Sequence, residues 1–250
     1  MKVLFAGPSL WNVDTAQAAL QRRGPARQGD ILLAVRDGAR SIGLVDGLFG
    51  DVPSVWHKEI LFALERGVAV LGAASMGALR AAECEAFGMI GVGEIYRRYA
   101  DGRLCSDDAV AQVHAPIELN CQPMSEALVN IEATLDALAA ASRIAPDERA
   151  RLWTAAESLF FADRTFEHIV ERADIGKALP LIDLLYEHRI DLKRIDALAL
   201  VDRMTQAHET PAVTWRMETT SIWRQVTEGI VSRERSSSGP LAEGMLHGST

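Results

Sequence analysis

Short apolar runs and helical spacing alternate through the first 75 residues. The runs cover 3–7, 30–35, 41–47 and 68–73, and each ends on Gly or Ala or runs directly into a charged residue. Their continuous apolar character predicts strands covered on both faces. Segments 13–23 and 53–66 carry helical spacing, so strand and helix alternate and predict a small, largely parallel sheet. Only Arg36 and Asp37-Gly38-Ala39-Arg40 separate the second run from the third. So short a link cannot make a parallel crossover between neighbours, which leaves those two strands antiparallel or non-adjacent.

After Ser75 the pattern changes to helices, over 76–87, 124–141, 146–161, 165–172, 177–188 and 192–207, with one more at 215–231. Ser125 followed by Leu128, Ile131, Leu135 and Leu138 has amphipathic spacing with Ser125 in a capping position. The fold class is therefore α/β, a small, largely parallel sheet in the N-terminal half with a mostly α-helical C-terminal half. We divide it into an α/β core at 1–120, a helical region packed on it at 121–232 and a flexible tail at 233–250.

Composition narrows the function classes. With 250 residues, 48% hydrophobic and 24% charged, the chain has ample material for a core. A net charge of −8 offers no cationic excess for nucleic acid. No run approaches the roughly 18 apolar residues of a membrane span. Three cysteines without a CxxC, and an N-terminus too short in apolar residues for a signal peptide, place the protein in the cytoplasm.

The sharpest chemical feature is Gly72-Ala73-Ala74-Ser75-Met76-Gly77, where a buried strand passes through small residues into a helix with Ser75 at the junction. A nucleophile elbow has this layout, with small residues two before and two after the nucleophile. The amides of Met76 and Gly77 then lie at a helix N-terminus, where they stabilise an oxyanion. The alternative reading makes Ser75 an N-cap.

A serine needs a base. The six histidines offer no clear triad partner, and only four of the 26 basic residues are lysines. Lys58, in Trp56-His57-Lys58-Glu59, sits beside an apolar helical stripe, where desolvation would lower its pKa and make it a base; the alternative is a snorkelling or surface-paired lysine. Gly7-Pro8-Ser9 and Asp46-Gly47 end two other strands at the same sheet edge, so Ser9 and Asp46 are candidates to position substrate or to orient Lys58, or else turn residues. Cys105 to His114 collects thiol, carboxylate and imidazole groups, yet its spacing matches no metal site, and neither a metal nor a cofactor is expected.

Five segments in order, Phe5-Ala6-Gly7-Pro8-Ser9-Leu10, Gly29-Asp30-Ile31, Ile42-Gly43-Leu44-Val45-Asp46-Gly47, Val55-Trp56-His57-Lys58-Glu59-Ile60-Leu61 and Gly72 to Ala81, resemble the TfuA-like family. The likeness continues through Phe87-Gly88-Met89, the Asp107-Asp108 to His114 stretch and Ser125-Glu126-Ala127-Leu128-Val129-Asn130-Ile131. It covers about residues 3–135. The resemblance implies a partner of YcaO enzymes, which activate a peptide-backbone amide with ATP so that sulfur replaces its oxygen. It implies hydrolysis of the C-terminal thiocarboxylate of a ThiS-like sulfur carrier by a Ser–Lys pair, releasing sulfide. Ser75 and Lys58 are the positions matched to that pair, with Ser9 as the rival serine. Gly7, Ser9, Asp46, His57, Met76 and Gly77 are supporting residues. Expected partners are a YcaO-type enzyme and a ThiS-like carrier, with no nucleic acid or membrane, and homo-oligomerisation is left open. The rival function is a non-catalytic adaptor that binds YcaO and improves its hold on the peptide; a third is an unrelated small-molecule hydrolase.

Overall fold

Alternate residues of the first strand face opposite layers. In the computed structural model, β1 (Lys2–Phe5) sends Val3 and Phe5 into one apolar cluster and Leu4 into another. Residues 1–48, 50, 52–176, 178–206 and 213–237 are described by the structure. β1 is joined by β2 (Gln21–Arg23), β3 (Ser41–Leu44), β4 (Ala69–Gly72) and β5 (Ile90–Gly91). The sheet order is β2-β1-β3-β4-β5 and every pairing is parallel. Order reverses between β1 and β3, so the crevice beyond their C-terminal ends is the natural ligand position of such a sheet.

Two expectations change here. Residues 30–35 form helix α1 (Asp30–Arg36), not a strand, so Asp37 to Arg40 is an ordinary helix-to-strand link and the crossover conflict disappears. Its buried Ile31, Leu32 and Ala34 fit either element by periodicity alone. Residues 13–23 hold a 3-10 turn (Ala16–Ala18) and β2 rather than a helix.

Helix α2 (His57–Glu65) lays Ile60, Ala63 and Leu64 on the same sheet face as α1. Helix α3 (Met76–Cys84) buries Met76, Ala81 and Cys84 there and turns Ala78 toward the helical layer. That layer contains α4 (Gly93–Ala100), α5 (Leu128–Ala140), α6 (Pro146–Ser158), α7 (Phe166–Ala173) and α8 (Ala178–Glu187). The opposite sheet face is covered by α9 (Leu192–Thr205), whose Ala197, Leu200 and Met204 pack on Leu4, Leu71 and Ala73. A Cβ at Gly43 would stand 2.3 Å from the Met204 sulfur, so glycine at this strand position lets α9 approach closely.

The last described element is α10 (Ser221–Ser237), and the strap before it, residues 217–220, lies against α2 through Lys58 and Glu65. Trp223 lies 5.9 Å from Trp56 and 5.6 Å from Phe62, centroid to centroid. Helix α10 enters the first residues of the expected tail, and the rest of that tail lies outside the described residues. Among the described residues no helix is long and apolar enough to cross a membrane.

Candidate active site

Three strand ends and one distant helix build a pocket of about 550 Å³ at the C-terminal edge of the sheet. The turn after β1 supplies Pro8, β3 leads to Asp46 and Gly47, and β4 leads to Ser75. The loop 110–114 contributes Gln112 and His114, and α9 contributes Lys193.

Ser75 is 4% exposed, between β4 and α3. Ala74 before it has φ +67°, a left-handed conformation that costs a non-glycine residue about 1–3 kcal/mol. The turn is this tight because α3 starts almost on the sheet: a Cβ on Gly77 would lie 1.8 Å from the Leu44 carbonyl oxygen, and one on Gly72 would lie 2.1 Å from that of Gly77. The N-cap reading of Ser75 fails, since its side chain caps no first-turn amide. Its Oγ instead donates to the Val110 carbonyl at 3.4 Å.

The amine that shares this carbonyl is that of Lys193. Its Nζ donates to the same Val110 carbonyl at 2.8 Å and to Gln112 Oε1 at 3.2 Å. Lys193 is 1% exposed, and burial holds its pKa below the ordinary lysine value against the opposing pull of Asp46, Asp191 and Glu126. An ammonium carries three donors, and these are the two acceptors that the described residues give it. A neutral amine satisfies both with its two N–H groups and retains a lone pair.

Lys58 is not brought to Ser75. It lies half-buried on α2 and donates to the Glu218 carbonyl at 3.1 Å and Thr220 Oγ1 at 3.3 Å, fastening the C-terminal strap. His57 also lies outside the pocket, with Nε2 2.8 Å from Glu83 Oε2. Asp46 accepts from Gly7 N at 2.8 Å, Ser9 N at 3.1 Å and Ser9 Oγ at 2.7 Å, so it fixes the β1 turn, and the Ser9 hydroxyl is committed to it.

Two expected oxyanion donors are occupied as well. The Gly7 amide donates to Asp46, and the Gly77 amide donates to the Val45 carbonyl at 3.1 Å. The amides of Met76 and Gly47 have no acceptor among the described residues. His114 lies in the pocket wall with Nδ1 2.8 Å from the Ala115 carbonyl, which makes Nδ1 the protonated nitrogen. Asp107 and Asp108 open a 3-10 turn, and Asp108 pairs with the buried Arg164.

The cysteines stand apart from this arrangement. Burial pushes the Cys84 thiol up to about 11 and raises that of Cys121. Cys105 is exposed, with Sγ 3.4 Å from the Gly102 carbonyl. Among the described residues no group of three or more His, Cys, Asp or Glu side chains is arranged to hold a metal ion.

The family model described as TfuA-like protein matches residues 46–165. Over that stretch, just under half of its length, the chain is similar to the TfuA-like family. The matched part holds Asp46, Ser75, Val110, Gln112 and His114, whereas Ser9 and Lys193 lie outside it. No curated protein matches the chain. The family supports a thioamidation-associated role and is associated with YcaO partners in general.

Sequence reasoning missed Lys193, although the signal was present. Lys193, Ala197, Leu200 and Met204 are spaced i, i+4, i+7, i+11 and all four are buried, so the lysine occupies a core position of the α9 stripe.

Proposed function

We propose that the protein hydrolyses the C-terminal thiocarboxylate of a ThiS-like sulfur carrier and releases sulfide for a YcaO-type enzyme that forms peptide thioamides. Ser75 is the nucleophile and Lys193, in place of Lys58, is the proton carrier. The observation that carries this reading is the convergence of Ser75 Oγ and Lys193 Nζ on one carbonyl inside a pocket at the sheet edge.

Neutral Lys193 takes the Ser75 proton as Oγ attacks the carbonyl carbon of the ionised thiocarboxylate. The Met76 amide follows the nucleophile at the head of α3, the position from which elbow folds donate to the oxyanion, and the Gly47 amide is the second candidate donor. As the carbon–sulfur bond breaks, the Lys193 ammonium gives its proton to sulfur, which departs as hydrosulfide. Lys193 is then neutral again, deprotonates the water that attacks the acyl-serine and returns that proton to Ser75 Oγ as the ester bond breaks, freeing the carrier's carboxylate with the acid proton lost to solvent. A permanently charged arginine cannot run this cycle.

The test is sulfide release from a thiocarboxylated ThiS-like carrier, measured for wild type, Ser75→Ala, Lys193→Ala and Lys58→Ala, each checked for folding. Release by wild type and Lys58→Ala, with loss in the other two, supports the assignment. A silent wild type in the presence of a YcaO partner would leave the adaptor as the better account.

A further inference from the structure

A second cavity opens at the same sheet edge, on the other flank of the β1 turn. It measures about 540 Å³ and lies beyond the ends of β1 and β2, with Ala6, Arg22, Arg23 and Gly24 in its wall. Pro8 lines the Ser75 pocket, while Asn12 and Val13, a few residues on, line this one, so one turn separates the two.

Its polar groups are mostly donors with spare capacity. Arg22 directs Nη1 to the Val13 carbonyl and Nη2 to the Leu10 carbonyl, both at 3.0 Å, and forms no ion pair among the described residues. Two neutral carbonyls thus fix the guanidinium plane while its charge and three of its five N–H donors remain unused. Arg23 adds a second guanidinium, paired at 2.7 Å with the partly exposed Asp37. The side-chain amides of Asn12 and Asn120 in the wall make no hydrogen bond among the described residues. The one carboxylate of the wall, Asp14, accepts from the Ala16 amide.

Backbone strain collects at the same place. Asn12 (φ +55°), Asn120 (φ +54°) and Cys121 (φ +54°) are all left-handed and all line this cavity. Strained non-glycine residues persist where the surroundings over-determine them, and they cluster at ligand sites. Here they present two amides and a fixed guanidinium to one space.

We propose that this cavity binds the phosphate or carboxylate group of a small organic anion, with Arg22 as the main contact and Asn12, Arg23 and Asn120 as further donors. A guanidinium fork suits either oxyanion, and a cavity of this size takes a small metabolite. The site is separate from the Ser75 chemistry and does not depend on it.

The test is calorimetric titration of the full chain with three probes, pyrophosphate, glucose 6-phosphate and citrate. Saturable binding of either phosphate probe identifies a phosphate site, and binding of citrate alone identifies a carboxylate site; both support the proposal. Arg22→Gln should weaken binding at least tenfold. Asn120→Gly removes the amide while permitting the left-handed backbone, so it should weaken binding with folding unchanged. Ser75→Ala should bind as wild type. No saturable binding of any probe into the millimolar range overturns the proposal, as does binding that Arg22→Gln and Asn120→Gly leave intact or that Ser75→Ala abolishes.

Discussion

Asn130 Oδ1 accepts the backbone amide of Lys193 at 3.0 Å, while its Nδ2 donates to Asp191 Oδ1 at 3.1 Å. One buried amide on α5 therefore ties down the first turn of α9, where Asp191 also accepts from the Arg194 amide at 3.0 Å. We expect Asn130→Ala to lower sulfide release at least tenfold by loosening Lys193, and to cost about 1–3 kcal/mol of stability from the buried partners left unpaired. Release assays beside denaturant unfolding separate the two effects.

The state of Lys193 sets the pH dependence. It acts as a base only when neutral, so sulfide release should rise with pH and level off once Lys193 has lost its proton. Burial lowers its pKa, so the midpoint should fall below the ordinary lysine value of 10.5. Lys193→Arg should be inactive at every pH. A rate profile that falls through this range would remove Lys193 as the base.

Lys58→Ala should leave sulfide release within a few-fold of wild type. Its two hydrogen bonds hold the strap against α2, and such partly solvated contacts are worth about 1 kcal/mol. Trp223→Ala, which empties the space between Trp56 and Phe62, should cost about 3–5 kcal/mol. Thermal unfolding of both variants checks the contrast.

Glu59 makes stability pH-dependent. Its buried carboxylate accepts from the amides of Gly29 at 2.8 Å and Trp56 at 3.3 Å, joining the starts of α1 and α2, and burial raises its pKa to about 7. The ordinary value is 4.5, so between these limits the folded state keeps a proton that the unfolded chain has lost. Its stabilising contribution is full below 4.5 and disappears as pH rises through about 7, a change on the order of 3 kcal/mol. Glu59→Gln should flatten that part of the stability profile in denaturant titrations at several pH values.

Gly77→Ala should be among the most damaging single-methyl changes. The added carbon would meet the backbone of β3 rather than a movable side chain, so the head of α3 must shift. A loss of about 3 kcal/mol or more, with loss of sulfide release, is expected from unfolding and activity measurements.

The central strands were legible because Val3 to Phe5, Ile42 to Leu44 and Val70 to Leu71 are buried on both faces and spell continuous apolar runs. β2 was not, because Gln21-Arg22-Arg23 is an edge strand of polar residues that owes its conformation to pairing with β1. Helix α1 resembled a strand because the six residues 30–35 are too few for the two periods to separate. Helix α4 escaped because its charged Glu94, Arg97 and Arg98 hide the short Ile95–Tyr99 stripe. Ser75 was marked by its strand-to-helix setting, whereas its amine arrives from an element that only tertiary packing brings near.

That distance has a kinetic meaning. The contact of Lys193 with Val110 closes a loop of 83 residues, and contacts of such long range form late because chain entropy must first be lost. Ser75 and the strands that shape its turn all precede α9 in the chain, yet Lys193 reaches the Val110 carbonyl that Ser75 also contacts only once α9 has docked. If Ser75 and Lys193 act as proposed, the hydroxyl would stay inert during synthesis until the ribosome has released residues beyond 193, and the docking of α9 on the sheet would be the step that arms it.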